Sequence, residues 1–168
     1  ASFGVSVGAA IGLPVPALRG AYQLANAATA LAVLDLLHAR VPVSAGAVRE
    51  GLLAVTLPGR FQVLPGRPVT VLDVAHNPHA ANALADALSD MGYFPETRAV
   101  LGMLADKDVD GVIAAVRRRV DRWHVATLPG PRGASRGALQ ARLAAAGVAA
   151  PAICAFPDVA TAYRAAVD

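Results

Sequence analysis

Cysteine is almost missing from this chain: Cys154 is the only one in 168 residues. No intrachain disulfide can form, so a secreted disulfide scaffold is excluded, and with no Cys/His cluster a zinc ribbon is excluded as well. Aromatic residues are scarce at 5%, and lysine occurs once, at Lys107. The only dense basic run, Arg117-Arg118-Arg119 with Arg122, follows the helical pattern Val109, Val112, Ile113, Val116 and Val120. With no aromatic stacking platform beside it, the run reads as a solvated helix face, and the net charge of +3 does not point to a nucleic acid partner. Long apolar runs are missing too, although 55% of residues are hydrophobic. The most apolar stretch, 20–37, is interrupted by Gln23, Asn26 and Asp35, short of the ~20 apolar residues that cross a bilayer. Arg19 is the first positive charge, so a secretory n-region is absent. These absences predict a cytoplasmic protein in a reduced compartment without membrane contact; a monomer is expected. What the chain does have is enough length for a core: a unit of this size buries roughly 68–70% of its unfolded surface.

Two patterns divide the chain. Ser2 to Val7 alternates like a strand and leads into a connection punctuated by Pro14 and Pro16. An alanine- and leucine-rich helix then runs from Gly20 to about Arg40, with Leu24, Ala27, Leu31 and Leu34 on one stripe. Ser44 is the expected N-cap of a shorter helix reaching Ala54. Leu57-Pro58-Gly59 breaks the chain, which places a boundary between segments 1–57 and 58–168. Beyond it, Phe61 to Leu64 and Val69 to Asp73 predict two strands around the turn Pro65-Gly66-Arg67-Pro68. Helices from Pro78 to Met91, Val109 to Arg119, Ser135 to Ala146 and onward from Asp158 then alternate with strands over 98–103, 123–128 and 152–156. This rhythm predicts an α/β unit: a Rossmann-like, mainly parallel sheet with helices on both faces.

In such a sheet ligands gather beyond the carboxyl ends of the strands. Asp73 stands at the end of a strand that reads as buried on both faces, and its carboxylate suits a pair of ribose hydroxyls. A turn or capping aspartate is the competing reading. Asn77-Pro78 is explained by structure alone, since asparagine caps helices and proline favours the first helical position. His76 and His79 have a spacing that could share a metal, but no third ligand lies nearby. His76, just before a helix N-terminus, is better placed to meet a phosphate or carboxylate.

Four strings together are recognisable: Gly20-Ala21-Tyr22-Gln23-Leu24-Ala25-Asn26-Ala27-Ala28, Leu57-Pro58-Gly59-Arg60-Phe61, Asp73-Val74-Ala75-His76-Asn77-Pro78 and Met103-Leu104-Ala105-Asp106-Lys107-Asp108. In order and spacing they resemble the C-terminal part of folylpolyglutamate synthase/dihydrofolate synthase, a branch of the Mur ligase superfamily. The most specific element is Gly-Arg-Phe followed, twelve residues after the phenylalanine, by the Asp-x-Ala-His-Asn-Pro string. A related string occurs in the peptidoglycan Mur ligases; the Gln-x-x-Asn-Ala helix and the Asp-Lys-Asp loop favour the folate branch. Ala21-Tyr22 stands where the family commonly has a basic residue and a histidine.

The resemblance implies an ATP-dependent ligase that activates a dihydropteroate or folate carboxylate as an acyl phosphate, which the amino group of L-glutamate attacks. It assigns ATP contacts to Asn26, Arg60 and Asp73, and makes His76, close to nucleotide and glutamate, the catalytic candidate. Lys107 would attract the glutamate carboxylates, with a surface ion pair to Asp106 or Asp108 as the alternative. No Gly-x-x-x-x-Gly-Lys-Ser/Thr phosphate loop occurs in the sequence. The phosphate loop, the magnesium ligands and a carbamylated lysine are therefore expected in an N-terminal ATPase domain, of which 1–57 would be the tail. The chain also ends at Asp168, before the family's closing strands, and so reads as a fragment, inactive by itself. A peptidoglycan Mur ligase C-terminal domain and a non-catalytic nucleotide-binding module are the alternative functions.

Overall fold

A computed structural model describes residues 2–3 and 12–168. The chain divides into two compact units, Ala1–Asp73 and Val74–Asp168.

In the first unit, β1 (Ser2–Phe3) pairs antiparallel with β2 (Leu13–Pro14). The rest of the strand expected up to Val7 falls on residues outside those described. Helix α1 (Tyr22–Leu36) and helix α2 (Ala45–Ala54) follow. The Ser44 hydroxyl caps α2 by accepting from the Ala47 N–H at 3.1 Å. Leu13, Leu31 and Val48 form a small core, with Val43 and Leu52 packed against it. The expected stripe on α1 needs correction: its buried residues are Gln23 and Leu31, whereas Leu24 is 37% exposed. β3 (Gln62–Leu64) and β4 (Thr70–Leu72) complete this unit as an antiparallel pair. Here too the sequence reading is corrected. The strand before Asp73 lies in a hairpin of its own, and Val69 and Leu72 are 42% and 40% exposed, so it is not buried on both faces.

The second unit carries the parallel sheet. Helix α3 (Pro78–Asp90) begins at an Asn77 cap, whose Oδ1 accepts from the Ala80 N–H at 2.9 Å, with Pro78 in the first helical turn. Then come β5 (Arg98–Leu101), α4 (Val109–Val116), β6 (Arg122–Ala126), α5 (Arg136–Ala145), β7 (Ile153–Phe156) and α6 (Val159–Val167). The predicted helix over 109–119 tightens into a 3₁₀ turn at Arg117–Arg119, and these arginines are exposed. Asp108, Ser135 and Asp158 cap α4, α5 and α6 through their side chains. The strands run parallel in the order β5-β6-β7. The fold is thus mixed α/β, with a parallel sheet, antiparallel pairs and flanking helices.

Strand alternation explains why both sheet faces are covered. Trp123 and Val125 of β6 join Ile153, Leu139, Leu143, Val112 and Ile113 in one apolar core beneath α3, α4 and α5. The intervening His124 points the other way, under α6, and stacks on Phe156 with ring centroids 5.6 Å apart. Ala162 and Ala166 are the buried residues of α6, small enough to bring the helix close to the sheet. No helix among the described residues is long and apolar enough to cross a membrane.

His124 is buried, and its Nδ1 has no hydrogen-bond partner among the described residues. Burial lowers its pKa below the ordinary 6.5, helped by Arg98 and Arg122 and opposed by Glu96 and by a hydrogen bond to the Ala165 backbone. The unfolded chain therefore binds this proton more readily, so His124 contributes stability above pH 6.5 that is lost as pH falls through its folded value. The melting temperature should drop from pH 7.5 to pH 5.5, and His124→Phe should flatten that slope. A slope unaltered in the variant would rule His124 out as its source.

Candidate functional site

The Gly-Arg-Phe string and the distant aspartate turn out to be one structural device. Gly59 is left-handed at φ 69°, and two residues later Phe61 adopts φ 47°, a region that bulky side chains rarely enter. The Phe61 ring is buried at 3% exposure. Its N–H donates to Oδ2 of Asp73 at 2.8 Å, so the carboxylate at the end of β4 holds the turn before β3. The Gln62 side chain adds a second tie by accepting from the Gly59 N–H at 3.1 Å. Between these anchors Arg60 is exposed, and its guanidinium makes no ion pair among the described residues. The hairpin therefore fixes the arginine's backbone while leaving its fork open to a phosphate.

Asn26 stands elsewhere in the same unit, on the exposed surface of α1. Its Nδ2 donates to Oε1 of the buried Gln23 at 2.9 Å. That bond leaves one N–H and the carbonyl oxygen of Asn26 for a base edge. Sequence reasoning placed Gln23 in a motif but missed its burial. The signal was a polar residue three positions before the asparagine, on the face that packs.

In the second unit, His76 is exposed, with its Nδ1 3.0 Å from the Val74 carbonyl oxygen. A carbonyl can only accept, so this contact places the proton on Nδ1 and leaves Nε2 as the acceptor of the neutral ring. His79 lies on α3. Among the described residues no group of three or more His, Cys, Asp or Glu side chains could hold a metal ion.

Lys107 lies in the loop between β5 and α4, at the carboxyl end of the parallel sheet, and is half-buried. Among the described residues Lys107 forms no ion pair with either neighbouring acid, and each acid has another partner. Asp106 pairs with Arg132 at 2.7 Å, and Asp108 caps α4 by accepting from the Gly111 N–H at 2.9 Å. Arg132 was not singled out from the sequence; it sits in the Pro-Gly-Pro-Arg-Gly segment after β6, where the only signal was a charge among turn formers.

Residues 59–168 match the family model described as Mur ligase, glutamate ligase domain. The dihydrofolate synthase/folylpolyglutamate synthase of Escherichia coli (strain K12) is 46% identical over 110 residues, covering 66% of this chain and 26% of that protein. A bifunctional folylpolyglutamate synthase/dihydrofolate synthase solved with Mn, AMPPNP and L-glutamate bound is 48% identical, with a TM-score of 0.77 over 94% of this chain and 35% of that one. The enzyme of Yersinia pestis complexed with AMPPNP and Mn ion is 49% identical, with a TM-score of 0.76 and the same coverage of 94% and 35%. The chain spans about a quarter of the length of the curated relatives it matches. With the hairpin, the capped helices and the parallel sheet all in place, this chain belongs to the Mur ligase glutamate-ligase domain family, as the C-terminal domain of its dihydrofolate synthase/folylpolyglutamate synthase branch.

Proposed function

We propose that this chain serves an ATP-dependent, amide-forming ligase that joins L-glutamate to dihydropteroate, to a folylpolyglutamate, or to both. The observation that carries this reading is the 48% identity, across 94% of the chain, to an enzyme with Mn, AMPPNP and L-glutamate bound. ATP would convert the pterin-side carboxylate to an acyl phosphate, releasing ADP. The glutamate nitrogen then forms the C–N bond as inorganic phosphate leaves, and the ammonium proton must pass to a base.

Arg60 is assigned to the phosphates, Asp73 to the ribose and Asn26 to the base edge. His76 is assigned to the proton, because its Val74 contact leaves Nε2 available as an acceptor. Lys107 is assigned to a glutamate carboxylate. The magnesium ligands and the phosphate loop are assigned to an ATPase domain, with residues 1–57 belonging to that domain and 58–168 to the glutamate-ligase domain. The family match beginning at residue 59 supports that boundary.

The test is glutamate-dependent ADP release by the full-length protein supplied with dihydropteroate or a folate. Release that requires a UDP-muramyl peptide instead, or no release at all, would overturn the reading. Arg60→Lys should retain only part of this activity, with a raised KM for ATP, since an ammonium cannot reproduce a bidentate fork. Full activity in that variant would make Arg60 a merely structural residue.

A further inference from the structure

The only lysine of the chain sits between two aspartates, yet neither neutralises it. An ammonium flanked by carboxylates ordinarily pairs with one of them, and a paired ammonium is a poor receptor for a third carboxylate. Here each acid is diverted. Asp108 caps α4, its Oδ1 accepting from the Gly111 N–H. Asp106 turns away to the guanidinium of Arg132, Nη2 to Oδ2 at 2.7 Å, across 26 residues of sequence.

Arg132 is brought there by a backbone lock between the loop after β5 and the loop after β6. The Ala105 N–H donates to the Arg132 carbonyl at 2.7 Å, and the Ala134 N–H to the Met103 carbonyl at 2.9 Å. Between these two bonds, Leu104 and Gly133 form an antiparallel bridge. Lys107 is itself held at both ends of its peptide unit, by its N–H to Leu104 O at 3.2 Å and by its carbonyl from Val109 N–H at 2.8 Å.

We propose that Arg132 is a positioning residue that occupies Asp106 and thereby keeps the Lys107 ammonium open to a carboxylate of the incoming glutamate. The inference rests on the ligase reading above. It also fits the charge at this end of the sheet: Arg132 is the main cause of the lowered Asp106 pKa, and Lys107 contributes only a minor part.

The decisive experiment is steady-state kinetics of the full-length protein carrying Arg132→Ala, Asp106→Asn, both together, and Lys107→Met. Arg132→Ala should raise KM for glutamate about tenfold, as Asp106 swings to Lys107, while KM for ATP stays within about twofold. Asp106→Asn alone should change little. The double variant should recover a near wild-type KM, because the competing acid is gone. Arg132→Lys should also preserve it, since a point charge is enough to hold Asp106.

A double variant as impaired as Arg132→Ala would overturn the proposal and place Arg132 on the substrate or in the loop scaffold. An unchanged KM for glutamate in Arg132→Ala, or in Lys107→Met, would overturn it as well. The exposed pair contributes little to folding, so Arg132→Ala should melt near the wild type. If it does not, the Lys107→Met and Arg132→Lys results decide. A wild-type protein without glutamate-dependent ADP release would defeat the ligase reading itself, a failure distinct from these.

Discussion

Gly133→Ala is expected to be the most damaging single-methyl change in the second unit. A Cβ at Gly133 would overlap the Leu128 carbonyl oxygen and lie 2.7 Å from the Leu128 carbonyl carbon. These are backbone atoms, so no rotamer change relieves the clash. Relief requires moving the loop that bridges Leu104 to Gly133 and carries the Ala134 N–H to Met103 O bond. Overpacking of this kind costs about 3 kcal/mol or more. For a unit of this size that is a fall in melting temperature on the order of 10–20 °C. Gly137→Ala is the matched control. It lies on α5, a Cβ there meets nothing within 4 Å, and its φ is not left-handed. That change should be neutral or stabilising by up to about 1 kcal/mol, since alanine loses less backbone entropy in a helix. Equal melting temperatures for the two variants would show that the loop yields freely and would contradict the packing argument.

Asp73→Ala is expected to have two separable effects. One is structural: the Phe61 N–H, beside a buried ring and at φ 47°, loses its 2.8 Å acceptor. An unpaired, partly buried donor costs about 1–3 kcal/mol, and the left-handed turn that it holds adds strain of similar size. The other effect belongs to the proposed nucleotide contact and is read in the full-length protein. Losing one or two hydrogen bonds to a charged acceptor, about 1.5–3 kcal/mol each, should raise KM for ATP at least about tenfold. Asp73→Asn separates the two, because its amide oxygen can still accept from Phe61 while the negative charge is gone. The asparagine variant should melt closer to the wild type than the alanine variant does and still show a raised KM for ATP. If it binds ATP normally while the alanine variant melts early, Asp73 serves the Phe61 turn and not the ribose. Because Arg60 adjoins that turn, the alanine variant should also weaken phosphate binding, an effect that the asparagine variant should spare.

Much of the local structure was legible because its causes are local. Ser44 and Asn77 were expected as caps and each caps the helix that follows, while Ser135 and Asp158, expected only as helix starts, also cap theirs. The Pro-Gly-Arg-Pro segment was legible as a turn between strands, and residues 62–64 and 70–72 do pair antiparallel. The motif strings are equally local: Asp73 and His76 stand out from their places in the sequence, whereas Asn26, Arg60 and Lys107 stand out only through the resemblance of those strings to a known family. Harder to foresee was the character of the strand before Asp73. An apolar strand looks the same from sequence whether it is enclosed in a parallel sheet or half-exposed in a hairpin, because burial is decided by what packs against it.

The sequence by itself determined the helices, the caps Ser44 and Asn77, the α/β alternation and the hairpin turn, since all of these follow from side chains within a few positions of one another; the candidate residues came from such positions together with a family resemblance. Only the tertiary structure decided what those residues are joined to. The bond from Phe61 to Asp73 spans 12 residues and the pair of Asp106 with Arg132 spans 26. It also decided that His124 is buried under α6 and that Gln23, not Leu24, faces inward. The scarcity with which the chain presents itself, a single lysine, acquires its meaning at that level. Whether Lys107 is an ordinary surface charge or a free cation depends on where its two neighbouring carboxylates turn, and that depends on loops that the linear order keeps far apart.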